Sequence, residues 1–140
     1  MGDDLASANV NRAYSLAATS IAIFTFTLFF LFPRFVNGEA SAMLFQATIV
    51  VMAVATFSFV FASFYYYCAS SGKRFSDAEK TTFARRGDRF WLVGYSLLFL
   101  APSVILFSIG LLAVGAVWLG LWVVFVLFVI RYFPKVQTGR

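Results

Sequence analysis

The sequence predicts an all-α integral membrane protein: a single transmembrane domain over residues 1–140, folded as a four-helix bundle with both termini on one side. Three observations carry this. Hydrophobic residues make up 61% of the chain and charged residues only 12%, against about 25% charged in an ordinary soluble domain. A soluble fold of this length has too little interior to hide so much apolar surface. The charges are also segregated: 21 uncharged residues separate Arg12 from Arg34, 33 separate Glu39 from Lys73, and 41 separate Arg89 from Arg131. About 20 apolar residues cross a hydrocarbon core of about 30 Å. Third, the basic residues fall almost entirely to one side of such a bundle.

The first span is expected over 13–32, AYSLAATSIAIFTFTLFFLF, closed by Pro33 and by the turn signal Asn37-Gly38. The second, over 42–68, is long enough to tilt or to project beyond the bilayer. A loop over 69–89 follows. Residues 90–130 would reach about 61 Å as one straight helix at 1.5 Å per residue, about twice the core, so the segment must fold back. Gly110 and Gly115 mark the turn, giving a third span over 90–109 and a fourth over 116–132. Pro102 is expected to kink the third.

Four spans place Arg12, Lys73, Arg74, Lys80, Arg85, Arg86, Arg89, Arg131, Lys135 and Arg140 on one side and Arg34 alone on the other. Cytoplasmic segments of membrane proteins carry the excess of Lys and Arg, so both termini are expected in the cytoplasm. A bacterial inner membrane is the expected location, and the lack of an Asn-x-Ser/Thr sequon is compatible with it.

The loop contains the densest polar stretch, KRFSDAEKTTFARRGDRFW, with nine of the 17 charged residues. Ser76 followed three residues later by Glu79 has the form of a capping box. It predicts a short amphipathic helix on the cytoplasmic face, about 77–86, with acids first and Arg85 and Arg86 last, as the helix dipole prefers. Gly87 would end it and Asp88 would cap the third span. Lys73, Arg74, Lys80, Arg85, Arg86 and Arg89 are the candidate contacts to anionic headgroups or to a partner protein. Nucleic acid is not an expected partner, because a net +3 over 19 residues is a weak lure for a phosphate backbone.

Helices in lipid associate through small residues and shared hydrogen bonds. The candidate packing stripes are Ser15, Ala18, Thr19 and Ala22 in the first span, and Thr48, Ala55, Thr56, Ala62 and Ser63 in the second. In the fourth span they are Ala116 and Gly120. Each can serve the bundle itself or a seam between chains. Phe24, Phe29, Phe57 and Phe61 would then face lipid.

Chemistry is bounded by absences. The chain has no histidine and one cysteine, Cys68, so histidine-based acid–base or metal chemistry and thiol pairs are excluded. No Asp, Glu, Lys or Arg lies inside an expected span, and such charge usually marks proton relays and ion-coupled transport. No catalytic, cofactor or metal residues are assigned. The leading expectation is a noncatalytic accessory or assembly subunit, partnered by another membrane protein or by its own copies. A homo-oligomeric pore is the alternative. A lipid enzyme using Asp77, Glu79 or Asp88 comes third.

Overall fold

The structure, a computed structural model, describes residues 2–71 and 74–138, with side chains over 7–71 and 74–131. Four helices account for nearly all of it: α1 Gly2–Val36, α2 Ala42–Ser70, α3 Asp77–Ser108 and α4 Leu112–Thr138. Each is long and apolar enough to cross a membrane.

Turns at one end are short and glycine-made. α1 runs through Pro33 instead of stopping there, since a proline near a helix end removes one donor where few bonds remain to be lost. The stop comes at Gly38, whose φ of 76° is left-handed. Glu39 N–H donates to the Arg34 carbonyl at 2.8 Å and Gly38 N–H to Phe35 at 3.0 Å, the two bonds of a Schellman motif. Gly110, with φ 81°, repeats it: Leu111 N–H reaches the Leu106 carbonyl at 2.9 Å and Gly110 N–H reaches Phe107 at 3.2 Å. Only Gly110 makes this turn. α4 begins at Leu112, earlier than expected, and Gly115 lies buried inside it beneath the Phe107 ring, 2.8 Å from where a Cβ would stand.

The charged stretch corrects the sequence reading. Ser76 does cap, with its hydroxyl accepting from Glu79 N–H and the Glu79 carboxylate accepting from Ser76 N–H at 2.9 Å. The helix then continues unbroken to Ser108, so no separate amphipathic helix forms. Gly87 does not end it, because its missing side chain serves a close approach: a Cβ there would stand 2.9 Å from Cε1 of Tyr66. Asp88 consequently sits mid-helix, where it accepts a hydrogen bond from Tyr66 instead of capping.

Packing follows chain order. α2 lies between α1 and α3, while α4 packs along α3 and hardly touches α1 or α2. Seven-residue steps run through both faces of α2. Phe59 and Tyr66 sit over Gly94 and Gly87 of α3, large rings on bare backbone. One more step in each direction brings Met52 and Ala101, both buried. A second row, Thr48, Ala55, Ala62 and Ala69, is buried too, and Ala62 joins Ala13 of α1 in a core cluster. A sustained period of seven is the signature of left-handed, coiled-coil-like packing.

These rows decide which small residues pack within the chain. In α2, Thr48, Ala55, Ala62 and Ser63 are buried as expected and Thr56 is half-buried. In α1 the contact is made by Ala13, Ala17, Ser20, Thr27 and Leu31, while Ser15, Ala18, Thr19 and Ala22 are exposed. Two small-residue stripes coexist on that helix, and composition alone does not rank them. In α4, Ala116 and Gly120 are exposed as well, and nothing lies within 4 Å of a Cβ built on Gly120. α4 is held by its tryptophans: Trp118 Nε1 donates to the Phe99 carbonyl at 2.9 Å and Trp122 Nε1 to the Ser96 carbonyl at 2.8 Å. Both acceptors lie in the turns of α3 just before Pro102, which lacks the N–H for the Leu98 carbonyl. Phe29, Phe57 and Phe61 are exposed, as a lipid-facing reading requires, and Phe24 is half-buried.

Candidate functional site

The polar chemistry gathers at one end of the bundle, where α1 begins, α2 ends and α3 begins. Counting 100° per residue, Arg85, Arg86 and Arg89 fall within an arc of about 100° on the side of α3 away from Gly87, and all three are exposed. Lys80 falls on the Gly87 side and is half-buried, and Arg74 is exposed before the helix starts. Lys73 lies outside the described residues. Among the described basic residues, Lys80 therefore falls on a different face of α3 from Arg85, Arg86 and Arg89, whose stripe carries the positive field outward. The Glu79 carboxylate, in the polar first turn of α3, is held below its ordinary pKa by hydrogen bonds from the Ser76 backbone N–H and hydroxyl. Ala78, Glu79, Thr82, Phe83 and Arg86 line a shallow depression there.

Opposite the arginine stripe, aromatic rings staple α3 to α2. Phe75 meets Phe83 edge to face at 5.1 Å between centroids. Phe83 stacks near Tyr65 at 6.3 Å, and Tyr65 stacks on Phe90 at 5.4 Å. This ladder ties the charged first turns of α3 to α2.

A third feature went unseen in the sequence. Between α1, α2 and α3 lies a cavity of about 220 Å³ lined by Asn9, Arg12, Tyr66, Asp88 and Trp91. Tyr66 is almost wholly buried, and its hydroxyl donates to Asp88 Oδ1 at 2.7 Å. Trp91 stacks on Tyr95 with centroids 4.6 Å apart. Val10, Phe90 and Trp91 pack against the Ala13–Ala62–Tyr66 cluster directly beneath. Read linearly, Tyr66 belongs to an interfacial aromatic run, Asp88 to a cap and Arg12 to a topogenic flank. The available signal was the spacing of Gly87 and Gly94, whose missing side chains bring Tyr66 within reach of Asp88.

Among the described residues no group of three or more His, Cys, Asp or Glu side chains could hold a metal ion. Cys68 is half-buried near the same end. Comparison with family models, with curated proteins and with solved structures finds no match to this chain.

Proposed function

We propose that the protein is a noncatalytic, multi-pass subunit of a bacterial inner membrane, with both termini cytoplasmic, acting as an accessory or assembly factor for another membrane protein or for its own copies. One observation carries the reading: the stripe Ser15, Ala18, Thr19 and Ala22 on α1 is exposed, because the fold uses the neighbouring row for its own packing. Small residues let two helix backbones approach closely in lipid, and this row has no such use inside the chain. Ten of the 11 basic residues fall on the side assigned to the cytoplasm, in keeping with the positive-inside rule. The Arg85–Arg86–Arg89 stripe then faces anionic headgroups, at about 1 kcal/mol per basic residue near the surface, or an acidic partner. Two of the three acids weighed for catalysis already have structural partners: Glu79 is committed to the cap and Asp88 to Tyr66.

Affinity purification in mild detergent tests this. A stoichiometric partner, or a defined oligomer, should co-purify and should be lost when Ala18→Leu and Ala22→Leu are combined. A monodisperse lone monomer that shows no self-association in bilayers would refute it.

A further inference from the structure

We propose that the cavity between Asn9, Arg12, Tyr66, Asp88 and Trp91 binds the headgroup of a phospholipid carrying a primary ammonium beside its phosphate diester, an ethanolamine-type lipid. The inference rests on the membrane-spanning reading above, and its first support is depth. Arg12 and Asp88, with Arg89, are the last charged residues before the uncharged runs 13–33 and 90–130. The cavity thus lies at the level where polar residues give way to apolar ones in α1 and α3, which is where a bilayer holds its phosphates.

Charge is the second support. One cavity of about 220 Å³ is lined by a guanidinium and a carboxylate, so it offers complementary groups to a zwitterion and not to a single charge. The planar fork of Arg12 suits a phosphate diester. Asp88 is oriented by the buried Tyr66 hydroxyl on Oδ1 at 2.7 Å, and a carboxylate has lone pairs beyond that one bond. A primary ammonium brings three N–H donors. Trp91 lines the same space, and an indole face attracts a cation. Asn9 supplies both a donor and an acceptor. Selectivity follows: a glycerol headgroup leaves Asp88 without a cation, and a choline headgroup has no N–H to give it.

The full chain is placed in nanodiscs of choline lipid containing a minor share of ethanolamine or glycerol lipid, and lipids retained on the ejected protein are counted by native mass spectrometry. Ethanolamine lipid should be retained about tenfold over either competitor, the value of one charge-assisted hydrogen bond. Asp88→Asn, which keeps an acceptor for Tyr66 and hence the fold, should abolish the preference over choline. Arg12→Gln should weaken retention of all three lipids. Arg86→Gln removes the same charge from outside the cavity and should leave the preference intact. Equal retention of glycerol lipid, or a preference that survives Asp88→Asn, overturns the proposal. Displacement by an equal concentration of water-soluble glycerophosphoethanolamine overturns the lipid assignment, since acyl chains would then contribute nothing. Alkaline carbonate extraction separates the two levels. Protein washed out of the membrane sinks the membrane reading, whereas protein that stays without headgroup preference sinks only this inference.

Discussion

Gly94 is where the α2–α3 seam leaves least slack within the apolar part of α3, and alanine there sets two effects of opposite sign against each other. Alanine is a better helix former than glycine by about 1 kcal/mol. Its Cβ, however, would stand 3.0 Å from Cε1 of Phe59 and 3.1 Å from both Cδ1 and Cζ, where carbon atoms prefer about 3.5–4.0 Å. A ring at the surface would swing aside. Phe59 is completely buried, with the Tyr95 ring edge-on at 6.3 Å between centroids, so relief requires the helices themselves to part. Overpacking a filled core costs about 1–3 kcal/mol, and three ring carbons crowded at once place this site at the upper end. Gly94→Ala is therefore expected to destabilise by about 2 kcal/mol net. Gly120→Ala is the control: nothing lies within 4 Å of its Cβ, so the propensity gain of up to about 1 kcal/mol remains alone. Thermal unfolding in detergent, followed by far-ultraviolet circular dichroism, should show a lowered midpoint for Gly94→Ala and an equal or raised one for Gly120→Ala. Adding Phe59→Leu to Gly94→Ala should restore about 1 kcal/mol relative to the sum of the single changes. A midpoint for Gly94→Ala at or above that of the native chain would refute the ring-on-glycine account of the seam.

Four further outcomes are expected. Ser76→Ala removes one arm of the capping box, worth about 1 kcal/mol locally, so amide exchange over 77–82 should quicken while the global midpoint holds. The same cap depends on pH: a carboxylate held below its ordinary pKa stabilises above that ordinary value and loses the contribution as pH falls through its folded value, so the Ser76 amide resonance should titrate in the acid range with Glu79. Trp122→Phe deletes the bond to the Ser96 carbonyl, about 0.6 kcal/mol by the average for such bonds in membranes, and spin-label distances between α3 and α4 should broaden without loss of helix. Tyr66→Phe takes a donor from the half-buried Asp88 carboxylate at a cost of about 1.5–3 kcal/mol and should lower the midpoint more than Asp88→Asn, which keeps an acceptor; the reverse order would contradict the assigned role of that bond.

The four long apolar helices and the gathering of charge near one end of α3 were legible because hydrophobic runs and charge segregation are one-dimensional quantities. The capping box was legible for the same reason, as Ser76 and Glu79 are three residues apart. Long-range relations were not. Gly87 looks like a helix stop in sequence, and only the ring of Tyr66, 21 residues earlier, explains why the helix passes through it. Which α1 row packs inside the chain was hidden in the same way: Ala13, Ala17 and Ser20 are as small as Ser15, Ala18 and Ala22, and the choice lies in the register of α2. The bonds of Trp118 and Trp122 have backbone carbonyls as acceptors, which every residue possesses, so no side-chain pattern marks them. The Arg12–Tyr66–Asp88 cavity draws on three helices, so no local window contains it.

Serial packing also sets an order of assembly. Because each helix leans chiefly on the one before it, every large interface is closed by a loop of only a few residues, and the entropic cost of closing a loop grows with its length. α1 and α2 can pair as a hairpin while α3 is still being synthesised. α3 then docks its glycine row on rings already in place, and α4 latches last by two indole bonds. None of the described residues lining the polar cavity belongs to α4, so a chain ending near Ile109 should keep its Tyr66–Asp88 bond.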